Sequence, residues 1–310
     1  MRYILDCDTG IDDALAITYA LGRVGKDLLA VTTTFGNTTL NQATQNTLDL
    51  LDALGHEEVD VVRGADHPWD KEEWTVSSHL HAIHGYNGIG NVKLPTSKRE
   101  AKEDAPSYMI ETAKKYGKDL ALICVGPLTN LAEAVKRDKD AIASVGRIVI
   151  MGGALTVQGN IRPYAEANIF NDAPAAKYVF ESGLDIHMIG LDVTLQTIIT
   201  GEDIISWRDC PTDKARYIYD AASYYYSNEF GEVTGGAMHD PLAFEAAVDP
   251  SIITNWYKAA LSVETGEFNG RTISTRDLLN QPERHICAAL EVDAETFMER
   301  FVETVKRVLE

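Results

Sequence analysis

The sequence predicts an α/β fold, Rossmann-like, with a mostly parallel central sheet flanked by helices and a helical region after residue 200. Two observations lead there. Short apolar runs alternate with amphipathic helical stretches from the first residues onward, which is the βαβα rhythm of a parallel sheet. The first apolar run also ends in an acidic turn, and strand ends of this kind host ligands in open α/β sheets. With 310 residues the chain is long enough for one large domain with a substantial core. No linker or internal repeat divides it, so residues 1–310 are expected to form a single domain.

Taken in order, residues 3–5 form the first strand and 12–21 the first helix, and 28–34 and 40–54 repeat the pair. A polar, His- and Gly-rich stretch over 64–103 lacks periodicity and reads as a long excursion from the sheet. The rhythm resumes with a helix over 105–116 stopped by Gly117, a strand over 120–125 and a helix over 128–136. A strand through 148–150, a helix over 173–180 and a strand over 186–189 follow. After residue 200 the pattern turns helical, with an aromatic segment at Tyr217, Tyr219, Tyr224, Tyr225 and Tyr226, before strand-like runs between 252 and 273. Over 293–309, Phe297, Phe301, Val302, Val305, Val308 and Leu309 fall on one stripe of a closing helix.

Hydrophobic residues make up 45% and charged residues 24%, which excludes a disordered or fibrous chain. The formal charge of −19 repels phosphate backbones and anionic lipid surfaces, so neither nucleic acid nor a membrane is an expected partner. No apolar run approaches the roughly 18 residues of a membrane span, and the opening MRYILD followed by acids reads as a strand rather than an export signal. Cys7, Cys124, Cys210 and Cys287 lie far apart with no CxxC spacing, which speaks for a reducing cytoplasm and against a disulfide scaffold or zinc knuckle.

Asp6-Cys7-Asp8-Thr9-Gly10-Ile11-Asp12-Asp13 packs four carboxylates into one short turn ahead of Ala14-Leu15-Ala16-Ile17. Such a cluster is tolerable where some acids cap a helix, some hold protons, or a cation sits among them. Asp12 and Asp13 suit the first helical turn, where carboxylates favour the dipole and bind free N–H groups. Asp6 and Asp8, at the strand end, are not explained that way, and a hard divalent cation is the economical answer. An EF-hand starting at Asp6 fails, because Ile17 stands where its bidentate acid belongs. A haloacid dehalogenase-type phosphatase also opens with a strand ending in DxD. Its pattern wants Thr or Val at Gly10, however, and leaves Asp12 and Asp13 without roles.

The turn reads DCDTGIDDALA, which resembles the DxDxGxDDAxA signature of the calcium-dependent, inosine-uridine-preferring nucleoside hydrolases. Further segments match that family in order over about residues 1–245. They are Phe35-Gly36-Asn37, His84-Gly85-Tyr86-Asn87-Gly88, Val125-Gly126-Pro127-Leu128-Thr129-Asn130, Met151-Gly152-Gly153-Ala154, Asn160 followed by Ala165-Glu166-Ala167-Asn168-Ile169-Phe170, and Met238-His239-Asp240-Pro241. The resemblance implies a nucleoside hydrolase domain that cleaves the N-glycosidic bond of free purine or pyrimidine ribonucleosides to ribose and base, in a homodimer or homotetramer. It implies that Asp8, Asp13 and Asp240 hold Ca²⁺ through carboxylates and Val125 through its main-chain carbonyl, leaving room for a water and the ribose hydroxyls. Asp8 is then the general base for that water. Asp12, Asn37, Asn160, Glu166 and Asn168 hold ribose hydroxyls, Met151 packs under the ribose ring, and His84 lies near the base or the ribose 5′ side.

Hydrolysis of an N-glycosidic bond builds positive charge on the sugar and negative charge on the departing base, and the site must answer both. His239, beside Asp240, is the expected proton donor to the base, since an imidazole with a reference pKa of about 6.5 suits acid work at neutral pH. Orienting Asp240 or stacking on the base is its other reading. Tyr224, Tyr225 and Tyr226 offer either an aromatic wall for the base or ordinary packing. His79, His81 and His84 lack a Cys or acid at ligand spacing to complete a zinc site. A protein of a different class, binding nucleosides through Ca²⁺ without cleaving them, shares the ligand set but has no use for a general base at Asp8 or a proton donor at His239.

Overall fold

In a computed structural model that describes residues 1–274 and 285–310, strands and helices alternate through the first part of the chain. The order is β1 (Arg2–Cys7), α1 (Ile11–Val24), β2 (Leu28–Thr33), α2 (Leu40–Leu54), β3 (Asp60–Arg63), α3 (Ser78–His84) and α4 (Ala105–Tyr116). Then come β4 (Leu120–Cys124), α5 (Thr129–Ala143), β5 (Arg147–Met151), α6 (Ala167–Asn171), α7 (Ala173–Phe180) and β6 (Ile186–Ile189). The later part holds α8 (Leu191–Thr194), β7 (Ile198–Thr200), α9 (Gly201–Trp207), α10 (Asp213–Tyr225), β8 (Gly235–Ala237) and α11 (Asp240–Val248). It ends with β9 (Ile253–Ala259), β10 (Ser262–Val263), β11 (Thr272–Ile273), β12 (Ile286–Val292) and α12 (Ala294–Leu309).

The central sheet has the order β3-β2-β1-β4-β5-β6-β12-β9. All its neighbours pair in parallel except β9, which runs antiparallel to β12 at one edge. Strand order therefore reverses between β1 and β4, which pair directly with Asp6 opposite Cys124. At such a reversal the connections depart to opposite faces and leave a crevice beyond the carboxyl ends of the strands. The central strands are apolar on both sides, as LALIC in β4 and RIVIM in β5, because each face is covered. Leu5, Cys7 and Ile123 pack with Tyr19, Phe244, Phe297 and Phe301 on one side. Ile4, Leu122 and Cys124 pack with Met109, Leu131 and Val179 on the other.

Several elements go beyond the sequence expectation, α6, α8, β7 and β8 among them, and three bear on the sheet and the long excursion. β3 is a short strand, DVVR, beside β2 at the opposite edge. The stretch over 64–103 is less irregular than its composition predicts, because Ser77 Oγ accepts the Leu80 N–H at 3.2 Å and starts α3. β12 inserts between β6 and β9, and its sequence ICAALEV gives no alternation to separate it from a buried helix.

Helix α11 is buried over Asp240 to Ala247, and besides Asp240 at its start Glu245 lies inside that stretch. Glu245 is 0% exposed and accepts hydrogen bonds from Tyr19 Oη at 2.8 Å and Arg23 Nε at 3.0 Å, and it also pairs with Arg300. A buried carboxylate is stable only with partners of this kind. They fasten α11 to α1 and α12. Among the described residues no helix is long and apolar enough to cross a membrane.

Candidate active site

The site begins where β1 turns into α1. Asp13, in the first helical turn, accepts the Gly10 N–H at 2.8 Å and the Asp8 N–H at 3.2 Å, so it does cap the helix start. Asp8 Oδ2 accepts the Asn37 N–H at 2.6 Å, and Asn37 Nδ2 donates to Asp13 Oδ2 at 3.1 Å. The turn carrying Asn37 approaches so closely that a Cβ on Gly36, whose φ is +153°, would lie 1.9 Å from Asp8 Oδ2. Gly36→Ala is therefore expected to displace Asp8, lowering kcat at least about tenfold and stability by about 1–3 kcal/mol, as read by steady-state kinetics and thermal melts.

Asp240 opens α11 and brings the last carboxylate from the far half of the sequence. Carboxylate oxygens of Asp12, Asp13 and Asp240 lie within 4.8 Å of one another, and all three residues are buried. Asp8 sits beside them, and its Oδ1, like Asp12 Oδ1, is buried without a hydrogen-bond partner. Of the carboxylates expected as ligands, Asp13 and Asp240 belong to this tight trio and Asp8 does not; Asp12, which the resemblance assigns to ribose, takes the third place. Asp6 does not join them, since Thr32 Oγ1 at 2.5 Å and Asn130 Nδ2 at 2.8 Å donate to it elsewhere.

Burial is the main cause that raises these acids, with neighbouring carboxylates adding to it. Asp12 and Asp13 are pushed up to about 6, and Asp8 and Asp240 well above the usual carboxylate range. A cation among them relieves both burdens. All donors are oxygens, which fits a hard ion such as Ca²⁺ and not a thiolate- or imidazole-seeking metal. The Val125 carbonyl accepts from Asn168 Nδ2 at 2.7 Å and keeps a second lone pair.

A cavity of about 250 Å³ adjoins this group, walled by Asp12, Asn37, His84, Val125, Met151, Asn160, Glu166, Asn168 and His239. Every residue expected to touch ribose or base thus faces one space, with Asp8, Asp13 and Asp240 behind the wall at 2% exposure or less. The hydrogen bonds already made decide which atoms remain. Glu166 accepts from the N–H groups of Asn168, Gly153 and Ile169, at 2.8, 3.0 and 3.1 Å, leaving about one of its four lone-pair sites. It caps α6 as well as facing the cavity. Asn168 spends its amide hydrogens on the Val125 and Met151 carbonyls, so its Oδ1 is left to accept. Asn160 Oδ1 accepts the Ala167 N–H at 2.9 Å, which leaves Nδ2 to donate.

His84 and His239 depart from the reference value of about 6.5. Burial pulls His84 and His239 down to about 4, so each ring is neutral at pH 7. His84 Nδ1 accepts the Ile11 N–H at 3.2 Å, satisfying a helix-end donor, and its ring packs on Tyr225 at 5.3 Å. His239 Nδ1 lies 2.8 Å from Thr194 Oγ1. Of the aromatic run, Tyr225 reaches the cavity, Tyr226 is buried with its hydroxyl donating to the Ala237 carbonyl, and Tyr224 is 40% exposed. His79 lines the cavity while His81 stacks on Tyr86, and among the described residues the three histidines form no metal-binding group. Sequence reasoning missed Leu80, Ile83 and Ile161, which supply the apolar part of the wall, and Thr194.

The cavity opens at the reversal point of a Rossmann-like sheet and pairs buried carboxylates with amides whose free atoms match sugar hydroxyls. That defines a class: an α/β enzyme with an acidic, cation-ready pocket for a small polar ligand. The model of the inosine-uridine preferring nucleoside hydrolase family matches residues 3–299. The chain is 36% identical over 281 residues to "Probable uridine nucleosidase 1" of Oryza sativa subsp. japonica, covering 89% of this chain and 86% of that protein. It is 32% identical over 318 residues to the "Inosine-uridine preferring nucleoside hydrolase" of Crithidia fasciculata, covering 99% and 98%. The solved structure of the purine-preferring ribonucleoside hydrolase from Gardnerella vaginalis superposes with a TM-score of 0.95 at 40% identity, over 100% of this chain and 99% of that one. This chain belongs to the inosine-uridine preferring nucleoside hydrolase family and is an enzyme that hydrolyses nucleosides.

Proposed function

We propose that the enzyme cleaves free purine or pyrimidine ribonucleosides to ribose and base with Ca²⁺ as its cation. The observation that carries this reading is the meeting of the Asp12, Asp13 and Asp240 oxygens within 4.8 Å, beside the unpartnered Oδ1 of Asp8. Asp8, Asp13, Asp240 and the Val125 carbonyl would hold the ion, with Asp12 shared between it and the sugar. Once bound, Ca²⁺ supplies the positive charge that offsets the carboxylates and orients a water and the ribose 2′- and 3′-hydroxyls.

The side chains do the rest. Asp8 Oδ1 takes the proton of the attacking water, because Oδ2 is already held by the Asn37 N–H. Glu166 and Asn168 Oδ1 accept from ribose hydroxyls, and Asn160 Nδ2 donates to one. Carboxylates around the sugar stabilise its developing positive charge. His239 donates a hydrogen bond through Nε2–H to the departing base as negative charge builds on it, since the ring is neutral and Nδ1 is engaged by Thr194. The net charge of −19 favours an uncharged nucleoside over a nucleotide.

Base release from inosine and uridine, with EGTA and then with Ca²⁺ restored, tests the reading. Activity that ignores chelation counts against the cation. Nucleoside binding without base release would instead identify a binding protein. Matching 2′-deoxynucleosides are expected to react at least about 100-fold more slowly, because a site built around a hydroxyl is left with unpaired polar groups when it is missing.

One sheet runs from β1 to β12, and α12 packs on α1, which supports reading residues 1–310 as one domain. The free thiols of Cys7, Cys124, Cys210 and Cys287 support a cytoplasmic location. The family resemblance supports a homodimer or homotetramer, which light scattering in solution measures.

A further inference from the structure

We propose that Thr194 is a positioning residue for departure of the base: its hydroxyl fixes the His239 imidazole so that Nε2 carries the hydrogen and faces the cavity. The inference rests on the reading of His239 as a hydrogen-bond donor to the leaving base.

Helix α8 is a single buried turn between β6 and β7, and Thr194 within it is 0% exposed. Its Oγ1 lies 2.8 Å from His239 Nδ1, and among the described residues that is the hydroxyl's hydrogen-bond partner. A hydroxyl that merely accepted from Nδ1–H would leave its own hydrogen buried without an acceptor, whereas donating to a bare Nδ1 satisfies both groups. With the Nδ1 lone pair engaged, a neutral ring carries its hydrogen on Nε2. That leaves Nε2–H as the ring's free donor, and His239 lines the cavity.

The main chain around His239 is held by the same region. Thr197 Oγ1 donates to the Met238 carbonyl at 3.0 Å, and the Met238 N–H donates to the Thr197 carbonyl at 2.8 Å. β7 pairs with β8 through Ile198 and Ala237. His239 occupies the N-cap position of α11, yet its side chain caps nothing there, being turned toward Thr194. Also in α8, Asp192 accepts the N–H groups of Leu155 at 2.9 Å and Thr156 at 2.6 Å, at the start of the segment that carries Asn160. One buried turn thus sets the base side of the cavity and anchors the loop on the ribose side.

The test compares kcat on the better of inosine and uridine with kcat on 4-nitrophenyl β-D-ribofuranoside, whose leaving group departs without a proton. The proteins are the native enzyme, Thr194→Val, Thr194→Ser, His239→Ala and the Thr194→Val/His239→Ala pair. Thr194→Val is expected to lower kcat on the nucleoside by about 10-fold to 100-fold, with a loss on the nitrophenyl riboside about tenfold smaller. Thr194→Ser restores the nucleoside activity, and Thr194→Val adds no loss on top of His239→Ala. Equal losses on both substrates, no loss on either, or a Thr194→Ser variant as impaired as Thr194→Val overturns the proposal. A His239→Ala variant blind to the leaving group overturns the reading of His239 itself; a sensitive one beside an insensitive Thr194→Val overturns the role of Thr194 alone. If the valine variant does not fold, Thr194→Ala takes its place. The ¹⁵N shifts of the His239 ring in the native enzyme then decide independently: a protonated Nδ1 refutes the assignment.

Discussion

Asp8→Asn is expected to lower kcat on ribonucleosides by about 10³-fold to 10⁴-fold while raising the melting temperature of the EGTA-treated protein. The substitution keeps the side chain's shape, and its amide oxygen still accepts the Asn37 N–H. The atom left beside the carboxylate group, however, no longer takes up a proton. General-base assistance alone is worth about 10² to 10⁴ in rate, and loss of one anionic ligand adds to that. Stability moves the other way. Asp8 is buried, with Asp13 and Asp12 raising its pKa further, so without a cation its charge works against the fold. Kinetics and melts on one preparation read both signs. A variant that loses activity and also melts lower in EGTA would point to misfolding and count against the base role.

Chelation of the native enzyme is expected to reduce turnover more than about 100-fold, and the loss of stability that accompanies it should grow with pH. In the cation-free fold Asp12 and Asp13 titrate at about 6, against about 3.9 for an aspartate in an unfolded chain. Between those values the folded state binds more protons than the unfolded one, so the unfolding free energy falls as pH rises from about 4 through about 6. Each pKa unit corresponds to about 1.4 kcal/mol, and the two shifts together place roughly 3–6 kcal/mol in that window. For a chain of 310 residues this is several degrees of melting temperature. If Ca²⁺ is the cation as proposed, saturating it should remove the penalty, because binding requires the ionised carboxylates. The gap between Ca²⁺-loaded and EGTA-treated melting temperatures should therefore be small at pH 5 and wide at pH 8. A gap that does not change with pH would sink the idea that these charges crowd one another.

The sheet was legible because its central strands are covered on both faces and read as unbroken apolar runs, while helices such as Leu40–Leu54 and Ala105–Tyr116 carry their own end signals in Gly55 and Gly117. β3 escaped notice through brevity, and β12 because an apolar strand without alternation carries no period. Within the site, Asp8, Asp12 and Asp13 stand out from local sequence alone. Asp240 does not: a single Asp-Pro at a helix start is ordinary, and only its place in an ordered set of motifs linked it to residues far upstream. The roles of individual atoms were not legible at all. That Glu166 keeps about one free lone pair, or that His239 is neutral, depends on burial and on backbone donors that three-dimensional packing supplies.

The carboxylate group is assembled from two helices, α1 and α11, that lie far apart in the sequence. Asp12 and Asp13 leave the ribosome early, but Asp240 arrives on α11, whose seat is secured when Glu245 reaches Tyr19, Arg23 and Arg300. Nascent polypeptide extending only through β6 holds Asp8, Asp12 and Asp13 but lacks Asp240. If the group holds a cation as proposed, full binding would need α11 in place, and added calcium should then accelerate the final docking of α11 rather than the initial collapse.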